Sequence, residues 1–370
     1  MKYRDAVLLY QNTESDTKTE IIDLDIVEPI SAFELEVECT NGATSNEDNF
    51  ISDIVTKVEI VDGSEVLTSL NMSQLEALHF YKSGKTPCLF PSEWAGGLQR
   101  HNATLFMGRH LWDPIFALDA TKFKNPQMKV TFNKAAIRAA GATGYAAGDN
   151  IKLTVVAKVF EDLARPAKFL MQKQIESFTS AASGEKRIDL PTDYIYRMAM
   201  LRLWIEGSDV DEVISDAKMT LDTDKFIPFN RKTKQLDADA LARFGPCILK
   251  HDFFRGGSYT ARTLVNKEPW VTGFSRTPAT PRVIVPWAQW SSTWNGELYD
   301  MAGVLDGTAR QITAIEQGHA LHATVPIFFG RPDVPEDWFN PAAYKKAELV
   351  LTQATASATC EIVLEQVRPQ

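Results

Sequence analysis

Six histidines, at His79, His101, His110, His251, His319 and His322, and four cysteines, at Cys39, Cys88, Cys247 and Cys360, are the side chains from which a metal or nucleophilic site would be built. Their spacing speaks against one. No Cys-x-x-Cys pair is present, and no His-x-His pair that would set two imidazoles on one strand face. The pair His319-Ala-Leu-His322 has i, i+3 spacing, which in a strand turns the rings to opposite faces, so ordinary strand-edge histidines are expected. The carboxylates Asp209, Asp211, Glu212, Asp222 and Asp224 lack the glycine and closing glutamate of a calcium loop and read as a solvated loop. There is no G-x-x-x-x-G-K-[ST] phosphate loop and no G-x-S-x-G nucleophile elbow. Gly256-Gly-Ser258 and Gly273-Phe-Ser275 lack the closing glycine and read as turns. The expectation is no catalytic residue, no cofactor and no metal. A carboxylate pair for glycoside hydrolysis is defined by separation in space, which spacing along the chain leaves open.

The chain has 370 residues, 44% of them hydrophobic and 24% charged, a globular composition that excludes general disorder. Its length suggests two domains. With 39 Lys and Arg against 48 Asp and Glu, the net charge is −9 at pH 7, which excludes a protein whose task is to coat a phosphate backbone; no direct nucleic-acid contact is expected. The cysteines read as free, buried thiols of a reducing compartment. The apolar run from Ala6 to Tyr10 is too short for a signal-peptide core, and no stretch approaches the ~20 apolar residues of a membrane-spanning helix. A soluble chain made and kept in the cytoplasm is expected.

The elements that would position any site are strands. Phe33-Glu-Leu-Glu-Val-Glu-Cys39 alternates without a break, placing Phe33, Leu35, Val37 and Cys39 on one sheet face and three glutamates on the other. Similar runs are Ile54 to Val61, Gln127 to Phe132, Ile151 to Phe160, Tyr196 to Ile205, His322 to Phe329, Ala347 to Thr352 and Cys360 to Val367. One short helix is predicted, Ser73 to Tyr81, with Ser73 and Glu76 as its capping box.

The chain also echoes itself. Val61-Asp-Gly-Ser64 resembles Ile205-Glu-Gly-Ser208, an offset of 144; Gln74-Leu-Glu-Ala77 resembles Gln235-Leu-Asp-Ala238, an offset of 161, which Gly84 and Gly245 share. Pro87-Cys88-Leu89 meets Pro246-Cys247-Ile248. His101-Asn-Ala-Thr104 with Gly108-Arg109 resembles His322-Ala-Thr324 with Gly330-Arg331, the latter pair at an offset of 222, and Asn125-Pro126 resembles Asn340-Pro341. Growth of the offset places insertions of 17 and 61 residues in the second copy, across Asp209 to Asn230 and Leu249 to His319. Each copy then holds eight strands, with a helical turn after the fourth. Eight antiparallel strands in ~150 residues close as a jelly roll, which protects sheet edges. The expected class is all-β: residues 1–165 form an N-terminal jelly roll with an N-terminal arm, and residues 166–370 a C-terminal one with an insertion at about 249–319.

That insertion concentrates aromatics. Trp270, Trp287, Trp290 and Trp294 lie among prolines and the cations Arg276 and Arg282. Flat indoles suit a sugar-binding platform; Trp and Arg together suit a protein interface, which is favoured because so long an apolar loop must bury its bulk.

Two tandem jelly-roll-like units with these paired landmarks, a large insertion in the second and no catalytic motif resemble the double jelly-roll major capsid proteins of tailless icosahedral, membrane-containing double-stranded DNA viruses, phages among them. The resemblance covers nearly the whole chain and rests on architectural echoes. It implies a homotrimer presenting a pseudo-hexagonal tile, with neighbouring capsomers, penton and minor capsid proteins as partners and an internal membrane beneath. It implies a place in the virion, assembled in the host cytoplasm. It makes the insertion a tower, and it sets the N-terminal residues Lys2, Tyr3 and Arg4 near lipid headgroups. The competing reading is a two-domain carbohydrate-binding or glycan-processing protein, for which export would be expected.

Overall fold

A computed structural model of the chain describes residues 2–47, 49–139, 144–162, 165–275 and 282–370. Nine strands make the first half: β1 (Tyr3–Glu14), β2 (Thr17–Asp23), β3 (Ile30–Thr40), β4 (Val55–Asp62), β5 (Glu65–Leu70), β6 (Cys88–Phe90), β7 (Leu98–Phe106), β8 (Pro126–Asn133) and β9 (Ile151–Phe160). The second half begins with β10 (Lys168–Thr179), β11 (Glu185–Leu190), β12 (Ile195–Trp204), β13 (Ile214–Leu221) and β14 (Phe226–Lys232). Six strands of the insertion follow: β15 (Cys247–Arg255), β16 (Ser258–Arg262), β17 (Val265–Ser275), β18 (Arg282–Trp290), β19 (Thr293–Asp300) and β20 (Arg310–Leu321). The chain closes with β21 (Thr324–Phe328), β22 (Ala347–Gln353) and β23 (Thr359–Pro369). Five helices interrupt the strands: α1 (Ile51–Ile54), α2 (Met72–Ser83), α3 (Lys134–Ala139), α4 (Val210–Val213) and α5 (Thr233–Phe244).

Sheet order identifies the fold. In the first unit β1-β9-β3-β7 faces β2-β8-β4-β5; in the second, β10-β23-β12-β21 faces β11-β22-β13-β14. Both are jelly rolls with the same strand order, two antiparallel sheets enclosing a core built from the alternating inward residues of each strand. In β3 the buried set is Phe33, Leu35, Val37 and Cys39, as the alternation predicts. One parallel bridge, Ser69 to Lys173, sets β5 beside β10, so the two units share one eight-stranded sheet.

The repeat is real, but its register differs from the sequence echoes. Helices α1 and α4 start 159 residues apart and α2 and α5 161 apart, so there is no 17-residue insertion. The turn at Gly63-Ser64 joins β4 to β5, and its counterpart is Asp222-Thr223-Asp224, all at positive φ (49°, 63° and 63°). Ile205-Glu-Gly-Ser208 instead follows β12, an unrelated turn of similar composition. Asn340 caps a short 3-10 helix by accepting from the Ala342 N–H, and its counterpart is Asp119, which accepts from Thr121 N–H, rather than Asn125. The helix falls after the fifth strand of each unit, not the fourth. Strand β1 escapes the alternation because it slips register between Val7 and Leu9 and again between Leu9 and Asn12, which breaks its period. The expected N-terminal arm is thus a strand paired to β9. Helix α2 starts one residue before Ser73, with Asn71 and Gln74, not Ser73 and Glu76, forming the capping box.

The insertion folds as a sheet in the order β15-β20-β17-β18-β19-β16. It curls around its own small core of Phe253, Val271, Ile284, Trp294, Leu298 and Ile312. Gly273 lies inside β17 rather than in a turn, and a Cβ there would stand 2.2 Å from Ile284 Cδ1. Gly256-Gly257 is a turn, between β15 and β16.

Candidate functional site at the joint between the barrels

The densest chemistry lies where α2 of the first barrel meets the outer face of β10-β23-β12-β21. Asn71 opens α2 and Gly84, at φ 68°, closes it. Gln74, Glu76, Tyr81 and Lys82 are all buried, an unusual load of polar groups for one helix, and each finds a partner on the second barrel or beside it. Gln74 donates to Glu361 at 2.9 Å and to Gln174 at 2.6 Å; Arg202 reaches Glu361 at 3.0 Å. The Tyr81 hydroxyl donates to the Thr324 carbonyl at 2.6 Å.

Lys82 reaches both the Phe106 carbonyl and the Glu365 carboxylate, which also accepts from Arg197 at 2.5 Å and from Gln172 at 2.9 Å. Burial opposes the charge on Glu365, but Lys82 and Arg197 outweigh it and draw its pKa down to about 2. Burial likewise draws Lys82 down to about 8 against the pull of Glu365. Both stay charged at neutral pH, as a pair held by its own geometry.

Nearly two turns earlier on α2, Glu76 accepts from His101 Nδ1 at 2.8 Å and from His322 Nε2. Burial is again overcome, here by the two histidines, and Glu76 is drawn down to about 2, while burial lowers His322. His322 sits in the turn returning from the insertion to β21, at φ 53°, so this carboxylate ties the first barrel to the root of the insertion. His79 accepts from the Thr104 N–H at 2.9 Å, and burial lowers it to about 4. Among the described residues, no group of three His, Cys, Asp or Glu side chains is placed to hold a metal ion.

A second set of contacts clamps the insertion onto the first barrel. Arg255 reaches Glu47 and, at 2.7 Å, Glu93; Arg262 makes a two-pronged pair with Asp53 at 2.8 and 3.1 Å. Asp211, expected in a solvated loop, is bound by Lys267 at 2.5 Å.

The residues singled out from the sequence do not converge. Trp294 is fully buried in the insertion's own core, donating to Glu316 at 3.2 Å, so it folds the insertion rather than presenting a surface. Trp270 is 64% exposed. Arg282 pairs with Asp306. Arg276 lies outside the described residues, as do the side chains of Trp287 and Trp290 on β18. Near the N-terminus Lys2 is exposed, Tyr3 packs on Trp112 with ring centroids 4.3 Å apart, and Arg4 pairs with Glu28 at 2.8 Å. Cys88 is exposed, and the other three cysteines are buried and free. The joint itself went unnoticed in the sequence. Its one signal was Glu361-Ile-Val363-Leu-Glu365, two glutamates sharing a strand face with Val363 in an otherwise apolar run.

No protein-family model and no curated protein sequence matches the chain. Solved structures do. The STIV MCP shares 11% identity at a TM-score of 0.58, covering 99% of this chain and 96% of its own. The major capsid protein P2 from bacteriophage PM2 shares 11% at 0.54, covering 100% and 98%, and the capsid of the virus PBCV-1 shares 10% at 0.57, covering 99% and 93%. The chain has the double jelly-roll fold of these proteins, end to end.

Proposed function

We propose that the chain is a major capsid protein, a structural subunit without catalytic activity that builds an icosahedral viral shell. The observation that carries this is the match of both barrels and the insertion, over nearly the full length on each side, to capsid proteins of viruses. The acidic balance of −9 agrees with a coat separated from its genome. The assembling unit is a homotrimer, whose six barrels approximate a hexagon, with a barrel division near residues 165 and 166. Its partners are neighbouring capsomers, penton and minor capsid proteins, over an internal lipid membrane. It resides in the virion, after assembly in the host cytoplasm, and the insertion is its tower.

Light scattering on the purified chain tests the reading. A 41.3 kDa subunit should run as a trimer of about 124 kDa. A monomer at every accessible concentration would overturn it.

A further inference from the structure

Every surface that makes the joint inside the chain has a counterpart left uncovered. Strand register aligns the barrels residue by residue: Lys158 pairs with Asp5 as Glu365 pairs with Gln172, and Ala32 with Phe106 as Met198 with Phe328. The helix ends align too, Arg243 standing two residues before Gly245 as Lys82 stands two before Gly84.

Inside the chain β5 lies beside β10. Their counterparts, β14 and β1, are both sheet edges without a further strand among the described residues, with Phe226 52% exposed on one and Tyr10 73% exposed on the other. Unpaired edges with exposed apolar side chains invite another strand. Helix α2 is covered along Gln74, Ala77 and Tyr81, whereas the equivalent Gln235, Ala238 and Ala242 of α5 are open to solvent.

Two cavities complete the pattern. One, of about 640 Å³, lies on the outer face of the first barrel, lined by Glu34, His79, Asn102, Thr104 and Lys158. At the same place on the second barrel, Tyr81 and Lys82 of α2 meet Thr324 and Glu365. The other, of about 540 Å³, lies between α5 and β21, lined by Phe229, Arg231, Ala242, Arg243 and Phe328. In the first barrel the equivalent space holds β10, whose Gln172 donates to the Phe106 carbonyl at 3.1 Å.

We propose that a second copy of this chain occupies both cavities: the end of α5 enters the open cleft on the first barrel of the next copy, whose β1 lies along β14 and fills the space beside α5. This rests on the trimeric capsid reading and names its contact surfaces. Arg243 takes the role of Lys82. The carboxylates of Asp5 and Glu34, held 2.9 and 3.0 Å from Lys158, take the role of Glu365. The contact is head-to-tail and repeats the barrel-to-barrel step already made within the chain, the kind of interface from which a closed ring such as the proposed trimer is built. Its charges lie nearer to water than the internal set, so it responds to salt where the internal joint does not. Lys2, Tyr3 and Arg4 then belong to the contact between copies, not to a lipid surface.

Sedimentation of the full-length chain at low salt tests this. Arg243→Glu, with its fold verified by circular dichroism, should raise the concentration of half-dissociation by about tenfold or more, and Asp5→Arg added to it should restore much of the loss. Ala238→Trp should block association without altering charge. A wild-type trimer with all these variants equally trimeric overturns the joint alone. A wild type that never associates overturns the joint and the capsid reading together.

Discussion

Lys82 and Glu365 show what an ion pair costs and what it specifies. Neither sees water, so removing one partner strands the other in a low-dielectric interior. Lys82→Met should therefore lower unfolding free energy by about 3 kcal/mol, toward the bottom of the range because Arg197 and Gln172 stay on the carboxylate. Replacing Lys82, Arg197 and Glu365 together by apolar residues should cost less than the single change, a comparison that urea denaturation of the two variants would make. Acid sensitivity follows from the same neighbourhood. Glu76 and Glu365, drawn down to about 2, contribute stability that is complete above the ordinary carboxylate range and is lost as pH falls through it toward 2. His79, lowered to about 4 by burial, resists protonation in the folded chain while the unfolded chain takes up protons below about 6.5, and burial pushes His322 in the same direction. Stability should thus begin to fall near pH 6.5, well before the carboxylates titrate. In His79→Asn, which keeps an acceptor for the Thr104 N–H, urea midpoints should fall less between pH 7 and pH 5 than in the wild type; an equal fall would contradict the assignment.

At the scale of elements, the insertion stands on Trp294, the largest fully buried side chain among the described residues. Trp294→Ala should cost about 3–5 kcal/mol locally. Limited proteolysis should then cut within β15 to β20 while the barrels survive. Asn71→Ala removes the cap of α2 and a 3.0 Å donor to Glu361, and should lower the thermal midpoint by more than an ordinary cap loss of about 1 kcal/mol implies. Strands such as β3 and β9 could be read from the sequence because one face is dry and the other wet. Strand β1 could not, since its bulges scramble the alternation that periodicity depends on, and β2 could not, since it buries Ile22 alone. The joint was illegible for a different reason: Lys82 and Glu365 are 283 residues apart, and a lysine on a helix and a glutamate on a strand each read as solvated until the fold brings them together. The tryptophans misled in the opposite direction, since an indole that folds its own sheet has the same sequence signature as one that binds a partner.

For the whole molecule, two barrels of one design were visible as a repeat, though turn chemistry shared between unrelated loops shifted its register. Gly63-Ser64 and Gly207-Ser208 look alike because both must turn the chain, not because they occupy one place. The shared eight-stranded sheet has a consequence for synthesis. The first barrel is complete once β9 pairs with β1, so it is able to form while the rest of the chain is still on the ribosome. Yet Glu361 and Glu365, the carboxylates that receive α2, come on β23, made after every other strand. Until then Lys82 keeps the Phe106 carbonyl and Gln74 can reach only Gln174 on β10, each without its carboxylate. A chain interrupted before β23 therefore leaves the polar groups of α2 uncovered on its first barrel, open to chaperones and proteases, and a chain that carries β23 covers them.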